Sequence, residues 1–267
     1  MNYHSDDRIM NGVLDHLFDP GISYKPEKIV GIFYQGSGNY GMDYEGSDID
    51  TKLVLAPSLK EICMNTKPVS TTYIRENEEH TDLKDVRLMI QLFKKQNLNF
   101  VEILFTKYKV VNHDYKDWDQ LVSAREAIAH YDQIATVKTM KGIAMEKYYA
   151  LQHEYPSKVE IIKKYGYDPK QLHHLLRVDQ FLTSYTRGRP YEECLCPSNS
   201  DYLVAVKRGY YNLDDARSLA DKTIASLIER ADKFREQDIP IDVKMGALLD
   251  EVQYKIICKT LKREIVQ

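Results

Sequence analysis

The sequence has little of several residues and patterns that mark special classes of protein. It contains only four cysteines, and no two of them form a CxxC pair: Cys63, Cys194, Cys196 and Cys258. This set lacks the four-ligand spacing of a zinc site and predicts reduced thiols in a cytosolic protein. No uncharged apolar stretch approaches the ~20 residues that a membrane-spanning helix needs. The N-terminus resembles no signal peptide, and we expect a soluble, cytoplasmic protein without a membrane partner.

The net charge is also small, at −3 from 37 basic and 40 acidic side chains. Overall charge therefore gives no electrostatic reason to expect nucleic-acid binding. The 20 tyrosines stand out against only 7 phenylalanines. Tyrosine rings stack on bases, but tyrosine also replaces phenylalanine in cores with wet edges, so both interpretations stay open.

Hydrophobic patterning divides the chain into two predicted domains, residues 1–118 and 119–267. The first domain is predicted to contain three strands, Lys28–Tyr34, Asp48–Leu55 and His80–Asp85. A polar, mobile stretch, Pro57–Glu79, separates the second strand from the third, and a helix, Val86–Gln96, follows the third. The second is predicted to be helical: Ser123–Glu154, Asp168–Thr186, Asp214–Gln237 and Lys244–Lys262. We therefore expect an α/β (α+β) fold, with a small mixed sheet followed by a helical bundle.

The most informative segment is the glycine-rich loop between the first two strands. Gly36, Gly38 and Gly41 satisfy the GxGxxG pattern of dinucleotide-binding folds. That pattern needs a helix of several turns next, and the following strand begins too soon to leave room for one. An EF-hand calcium loop needs glycine and glutamate at its sixth and twelfth positions, and neither possible register supplies them.

A nucleotide-binding metal site agrees better with this segment. A tight turn at Gly36-Ser37 offers backbone N–H groups and a hydroxyl to the terminal phosphates of a nucleotide. Ten residues later, Asp48 and Asp50 lie on one face of a predicted strand. Paired carboxylates of this kind hold Mg²⁺ or Mn²⁺ ions that neutralise a triphosphate and activate an attacking hydroxyl. A purely structural role for the acids remains the alternative.

The pattern Gly-Ser, ten residues, Asp-x-Asp resembles the signature of the DNA polymerase beta nucleotidyltransferase superfamily. The longer run GSGNYGMDYEGSDIDTKLVLAP resembles a branch of predicted bacterial and phage nucleotidyltransferases that includes an RNA-repair-pathway family associated with RNA ligase. Two further segments, KDVRLMIQLFKKQNLNFVEILFT and YGYDPKQLHHLLRVDQFL, resemble the same branch. The resemblance implies a catalytic domain at 1–118 and a helical domain that completes the nucleotide and acceptor cleft at 119–267.

The resemblance also implies a third metal-binding carboxylate on a neighbouring strand. Asp85, at the end of a predicted strand, is the first candidate, although it is also placed to cap the next helix. Glu102, in the apolar run that begins at Phe100, is the second candidate, although it also suits a solvated strand face or a buried pair with Lys52 or Arg87. Ser47, just before the acid pair, joins Gly36 and Ser37 as a nucleotide-binding candidate.

A basic stripe is predicted on the helix that begins after Asp168. Lys170, His174 and Arg177 follow helical spacing, with His173 beside them and leucines on the opposite face. The resemblance implies that these three bind nucleotide phosphates, and a solvated basic face is the alternative. Five other cations are weaker candidates for an RNA backbone: Lys138, Lys141, Lys147, Arg187 and Arg189.

Taken with the resemblance, these residues predict a transferase that moves a nucleoside monophosphate from ATP or another nucleoside triphosphate (NTP). Mg²⁺ or Mn²⁺ is the expected cofactor, and an RNA 3′-end, tRNA-like or otherwise, is the preferred acceptor. The alternatives are transfer to a protein or small-molecule hydroxyl, a catalytically silent nucleotide-binding module, and a calcium-binding interaction domain.

Overall fold

The structure is a computed structural model that describes residues 4–45, 47–154 and 156–266. The chain forms two compact units. The sheet unit consists of Met1–Asn39, Asp43–Asp132 and Ile241–Gln267, and the helical unit consists of Tyr40–Met42 and Gln133–Pro240.

The sheet unit is built on a mixed β-sheet. Its described strands are β1 Ile29–Gln35, β2 Asp50–Leu55, β3 Ser70–Ile74, β4 His80–Asp85 and β5 Lys109–Val111. Their order across the sheet is β3-β4-β2-β1-β5, in which β2 and β4 run parallel and every other neighbouring pair is antiparallel. Strands β1 and β2 are nearly continuous apolar runs because they lie inside the sheet and are covered on both faces.

The α-helices carry most of the remaining chain. In chain order they are α1 Asp6–Leu17, α2 Leu59–Cys63, α3 Val86–Lys94, α4 Leu98–Val101, α5 Trp118–Ser123, α6 Arg125–Ala129, α7 Gln133–Ala150, α8 Val159–Tyr165, α9 Pro169–Tyr185, α10 Tyr191–Leu195, α11 Ser200–Lys207, α12 Leu213–Arg235 and α13 Val243–Val266. None of the helices in the described part of the chain has the length and apolar character to cross a membrane.

Helix α1 covers one face of the sheet. Its residues Ile9 and Val13 are fully buried against Ile32 and Leu53, which alternation along β1 and β2 sends to that face. Each such side chain contributes about 1.5–3 kcal/mol by leaving water. On the opposite face the indole of Trp118 packs against Phe33, with ring centroids 5.1 Å apart.

The C-terminal helix α13 belongs to the sheet unit and packs against α3 and α5. The hydroxyls of Thr260 and Tyr115 lie 2.9 Å apart in the buried interface. An exposed ion pair joins Lys94 to Asp250 at 2.6 Å. These contacts explain why this helix groups with elements that lie far away in the sequence.

The helical unit is held by the mutual packing of α7, α9 and α12. Leu172, Leu175 and Leu182 are fully buried on α9, and Ala216 and Ala220 bury the facing side of α12. Helix α9 begins as its sequence indicates. Asp168 accepts a hydrogen bond from the Lys170 amide at 2.9 Å, and proline takes the first helical position.

The mixed sheet with its helices confirms the predicted fold class, but the units differ from the predicted domains. The first unit extends to Asp132 rather than residue 118, because α5 packs against α13 and the Gln96 side chain donates a hydrogen bond to the Ile128 carbonyl. It also includes Ile241–Gln267, which was predicted to belong to the second domain. The predicted helix at Ser123–Glu154 is interrupted before Gln133, where the Tyr131 carbonyl accepts a hydrogen bond from the Asp242 amide at the start of α13.

The polar stretch Pro57–Glu79 contains two regular elements that the sequence pattern did not reveal. Helix α2 begins with a capping box, in which the Ser58 hydroxyl and the Glu61 carboxylate satisfy each other's backbone amides. Strand β3 lies at the edge of the sheet and is exposed along most of its length. An exposed edge strand needs no apolar alternation, so periodicity does not detect it.

Candidate active site

The glycine-rich loop leaves β1 at Gln35 and turns at once through a 3-10 segment, Ser37–Tyr40. The Gly38 amide donates a hydrogen bond to the Tyr34 hydroxyl at 3.1 Å. A Cβ on Gly36 or Gly38 would lie only 2.6 or 2.9 Å from that hydroxyl, so the close approach requires glycine at both positions. Burial raises the pKa of Tyr34, which keeps this hydroxyl protonated.

The two serines predicted to bind phosphate lie together. The Ser37 hydroxyl donates to the Ser47 hydroxyl at 3.4 Å, across the loop. The Ser47 oxygen also accepts the Tyr44 amide at 3.0 Å, while the Ser47 amide donates to the Tyr44 carbonyl at 2.9 Å. Hydrogen bonds within the loop therefore close it and hold the Ser37 and Ser47 hydroxyls next to each other.

The acid pair lies directly beside this loop. Asp50 opens β2 and is paired across the sheet with Gln35, the last residue before the loop. Its side chain is 40% exposed, and its carboxylate accepts the His80 amide at 2.9 Å. Asp48 is exposed and makes no hydrogen bond or ion pair within the described part of the chain. Both carboxylates are accessible to a ligand.

Further charged residues follow Asp50 along the same face of the sheet. Lys52 is 4% exposed and contacts the Asp82 carboxylate at 3.1 Å. Lys84 contacts the same carboxylate at 2.7 Å, and the Lys52 ammonium lies 4.0 Å from the centroid of the Phe100 ring. Burial lowers the pKa of Lys52, although Asp82 and Glu102 partly oppose the shift. Asp82 is therefore a second acid on the face of the sheet that carries Asp50.

The structure does not bring Asp85 to this face. Asp85 is paired with Leu55, five residues along β2, or roughly 16 Å from Asp50 at about 3.3 Å per residue. Its carboxylate caps α3 through the Arg87 amide at 2.8 Å and binds the Arg87 guanidinium at 2.6 and 2.9 Å. The capping role was the alternative for this residue, and the geometry supports it.

Asp82 was not among the predicted site residues, although the sequence already indicates which face it occupies. In HTDLKD, side chains alternate between faces, so Asp82 lies with His80 and Lys84 and on the face opposite to Asp85. Parallel register then pairs Asp82 with Lys52, two residues after Asp50. The same alternation excludes Asp85 from the face that carries Asp50.

Glu102 lies in a 3-10 turn, Glu102–Leu104, that follows α4, and not on a strand. Its side chain is buried and interacts electrostatically with Lys52. This agrees with the buried pairing that was one alternative for Glu102. A direct role for Glu102 in binding a metal stays a prediction.

In the helical unit, two histidines of the predicted basic stripe have different environments. His173 is buried, and its Nδ1 lies 2.8 Å from the Leu203 carbonyl oxygen, to which it donates a hydrogen bond. Burial lowers the pKa of His173 to about 4. His174 is half-buried, and burial together with neighbouring cations lowers its pKa well below the ordinary value. Both rings are therefore neutral at pH 7.

The other two residues of the stripe are cations with different contacts. Lys170 is exposed. The Arg177 guanidinium carbon lies 4.1 Å from the centroid of the Tyr40 ring, and Tyr40 is one of the loop residues that group with the helical unit. His174 is therefore flanked by positive charge from Lys170, Arg177 and Lys147.

The comparisons with known proteins add little to this geometry. No family model matches the sequence, and no curated protein matches it. Among solved structures, the chain is similar to a nucleotidyltransferase-like protein from Exiguobacterium sibiricum, with 12% sequence identity and a TM-score of 0.35, over 92% of this chain and 91% of that chain. At this identity and TM-score the likeness does not assign a function.

The donor set suits a cation that arrives with a phosphate ligand. Within residues 4–45, 47–154 and 156–266, no three His, Cys, Asp or Glu side chains are grouped to hold a metal by themselves. Mg²⁺ usually keeps several waters and binds through one or two carboxylates plus substrate phosphates. The accessible carboxylates of Asp48 and Asp50 beside the loop fit that mode of binding.

Proposed function

We propose that this protein is a metal-dependent nucleotidyltransferase that transfers a nucleoside monophosphate from an NTP to an acceptor hydroxyl. One observation carries the proposal. The pairing of Gln35 with Asp50 sets the first glycine of a closed Gly-Ser loop beside an accessible pair of carboxylates. In this proposal a phosphate cradle and two metal-binding acids lie together where β1 ends and β2 begins.

In this proposal Asp48 and Asp50 hold Mg²⁺ or Mn²⁺ together with the triphosphate. The metal, when bound, neutralises phosphate charge and lowers the pKa of the attacking hydroxyl. We assign the third acidic position to Asp82 in place of Asp85, because Asp82 shares the face of Asp50 and the carboxylate of Asp85 is bound by Arg87.

The chain's own groups position the reactants. Ser37, Ser47 and the loop amides around Gly36 bind the terminal phosphates. Asp82 accepts the proton of the acceptor hydroxyl, whose oxygen bonds to the α-phosphorus as pyrophosphate leaves. Positioning and electrostatic stabilisation supply most of the rate in such phosphoryl chemistry.

Three residues of the helical unit are proposed to bind nucleotide phosphates: Lys170, His174 and Arg177. The positive charge around His174 supports this assignment, because several nearby cations together attract a phosphate more strongly than one does. His174 is neutral at pH 7, so we expect it to donate a single hydrogen bond rather than a charge.

The acceptor is proposed to be an RNA 3′-end, on the resemblance of the sequence alone. A protein side-chain hydroxyl, as in AMP transfer, or a small molecule is the second choice. Several cations that were candidates for RNA contact are already in ion pairs: Lys141 with Asp232, Lys147 with Glu146, and Arg189 with Glu193. These ion pairs favour a solvated surface over RNA contact for the three cations.

One observation supports the alternative of a catalytically silent nucleotide-binding module. Asp82 is already neutralised by Lys52 and Lys84, as a purely structural carboxylate would be. The two functions differ in a single observable, because a silent module binds NTP without releasing pyrophosphate.

The test is incubation with each α-labelled NTP, Mg²⁺ or Mn²⁺, and RNA or protein acceptors. We expect label transfer and pyrophosphate release that disappear in the Asp48→Asn/Asp50→Asn double variant. Glu45→Gln is the matched control, because Glu45 is an exposed acid of the same loop. Nucleotide binding without pyrophosphate release, or equal activity in the double variant, would refute the proposed nucleotidyltransferase activity.

A further inference from the structure

The backbone between the two catalytic acids is held by a residue from outside the loop. Ile49 separates Asp48 from Asp50, and its amide donates a hydrogen bond to the Glu79 carboxylate at 3.1 Å. Ile49 precedes β2, so its amide takes no part in the strand ladder. Its side chain is buried beneath α1, where a Cβ on Gly12 would lie 2.5 Å from it.

Glu79 is itself fixed by a network of hydrogen bonds. Its other carboxylate oxygen accepts from Asn77 at 2.7 Å and lies 3.1 Å from Nε2 of His16. His16 is fully buried, and its Nδ1 lies 2.9 Å from the Thr51 hydroxyl and 3.1 Å from the Thr81 hydroxyl. The network therefore spans α1, β2 and β4, and it leaves the Glu79 carboxylate little freedom to move.

The charge state of Glu79 suits this role. Burial alone would raise the pKa of Glu79, but the hydrogen bonds from His16, Asn77 and the Ile49 amide outweigh it and hold the pKa below the ordinary value. A hydrogen bond to an ionised carboxylate is shorter and stronger than one between neutral groups. The Ile49 amide therefore donates to a charged acceptor, at 3.1 Å, rather than to a neutral backbone carbonyl.

The next residue of the same turn binds the second acid directly. The His80 amide donates to the Asp50 carboxylate at 2.9 Å. Glu79 at the end of the turn and His80 at the start of β4 thus make two consecutive contacts with the acid pair, one to the backbone at Ile49 and one to the side chain of Asp50. A side-chain contact orients one oxygen, whereas a backbone contact sets the spacing of both acids.

From these contacts we infer that Glu79 is a positioning residue, which holds Asp48 and Asp50 at the separation that metal and triphosphate require. The inference rests on the proposed function and extends it to a residue that touches neither substrate nor metal. Partners that orient metal ligands in this way are typically worth 10–100-fold in metal affinity or activity.

The experiment compares three variants of the full chain: Glu79→Ala, Glu79→Gln and Glu76→Ala. Glu79→Ala removes the acceptor, whereas Glu79→Gln keeps an oxygen for the Ile49 amide. Glu76→Ala is the matched control, because it removes an exposed acid from the same turn. The readouts are hydrogen exchange of the Ile49 amide, Mn²⁺ affinity in the presence of NTP, and the separate values of kcat and KM.

In Glu79→Ala we expect exchange at Ile49 to accelerate about 10–100-fold and Mn²⁺ affinity to fall by a similar factor. In Glu79→Gln both effects should be smaller, because one oxygen remains for the Ile49 amide while the new amide nitrogen faces Asn77 and His16, and kcat should fall in Glu79→Ala more than KM rises. Asn77→Ala, which removes one anchor of Glu79 at an exposed position, provides a milder variant if Glu79→Ala fails to fold.

The outcomes separate this inference from the proposed function. Unchanged Ile49 exchange or unchanged Mn²⁺ affinity in Glu79→Ala overturns the positioning role, whatever the enzyme does. The same result follows if Glu76→Ala is as damaged as Glu79→Ala, because Glu76→Ala leaves the Glu79 carboxylate in place. Absence of pyrophosphate release by the parent protein refutes the transferase, while the exchange measurement still decides whether Glu79 holds Ile49.

Discussion

The sheet unit and the helical unit place their candidate functional charges in opposite ways. In the sheet unit, Asp50 opens β2 and Asp48 lies two residues before it, and both side chains are accessible. In the helical unit, the basic candidates lie on a packed helix, where depth differs from one turn to the next. A strand pattern therefore predicts which face of the sheet a side chain occupies. A helical stripe predicts which side of the helix a side chain lies on, but not how deeply it is buried.

The largest effect is expected from the acid pair. Asp50→Asn should lower pyrophosphate release at least about 100-fold, because even residues that only orient metal ligands are worth 10–100-fold. Asparagine still accepts the His80 amide, so the free energy of unfolding should change by less than about 0.5 kcal/mol. Both are measured on one preparation, by pyrophosphate assay and by urea denaturation. Intact activity with lowered stability would make Asp50 a structural residue.

The helical unit should instead respond to pH through stability. The pKa of His173 is about 4 in the folded protein and about 6.5 when unfolded, so the unfolded chain binds the proton first. The free energy of unfolding is therefore unaffected by protonation of His173 above pH 6.5. It decreases as the pH falls from 6.5 towards 4, by about 3 kcal/mol in total.

Urea denaturation between pH 4 and 7 measures this loss. His173→Gln keeps a donor for the Leu203 carbonyl and should weaken the pH dependence without abolishing it, because the pKa of His174 is lowered as well. An identical pH profile in the variant would mean that His173 does not carry the effect.

Strand β4 provides an internal comparison, with Asp82 and Asp85 on its opposite faces. Asp82→Asn should lower kcat/KM about 10–100-fold. Asp85→Asn keeps the helix cap but loses the charged pair with Arg87, so we expect unfolding to become easier by about 1–2 kcal/mol with kcat/KM unchanged. If the two variants exchange these effects, the third acid is Asp85 after all.

Much of this architecture follows from local patterns, and the failures have physical causes. Strand β4 and the start of α9 were predicted correctly, because alternation and a capped Asp-Pro start are local signals. Strand β3 was missed because it is exposed, and α13 joins the sheet unit through contacts with residues more than a hundred positions away. Such long-range packing leaves no local trace.

The candidate site divides in the same way. Alternation along β4 is a local signal that places Asp82 on the face of Asp50, whereas Asp48 lies before β2 and is placed by the loop. The role of Glu79 required the fold, because it depends on a turn that binds a backbone amide thirty residues earlier in the chain. His173 shows the matching limit for helices, since its spacing predicted a basic stripe and its surroundings make it a neutral core residue.

The smallest effect is expected at Arg177. Arg177→Lys keeps the positive charge but loses the planar guanidinium that lies over Tyr40, a contact worth about 0.5–1 kcal/mol. We expect KM for the NTP to rise about 2–5-fold with kcat nearly unchanged, because binding is lost equally from the ground state and the transition state. Steady-state kinetics on Arg177→Lys, Arg177→Ala and Lys138→Ala measure this. Lys138 is an exposed cation of the same unit, so an equal rise in KM for Lys138→Ala would mean that general positive charge, and not Arg177 itself, attracts the nucleotide.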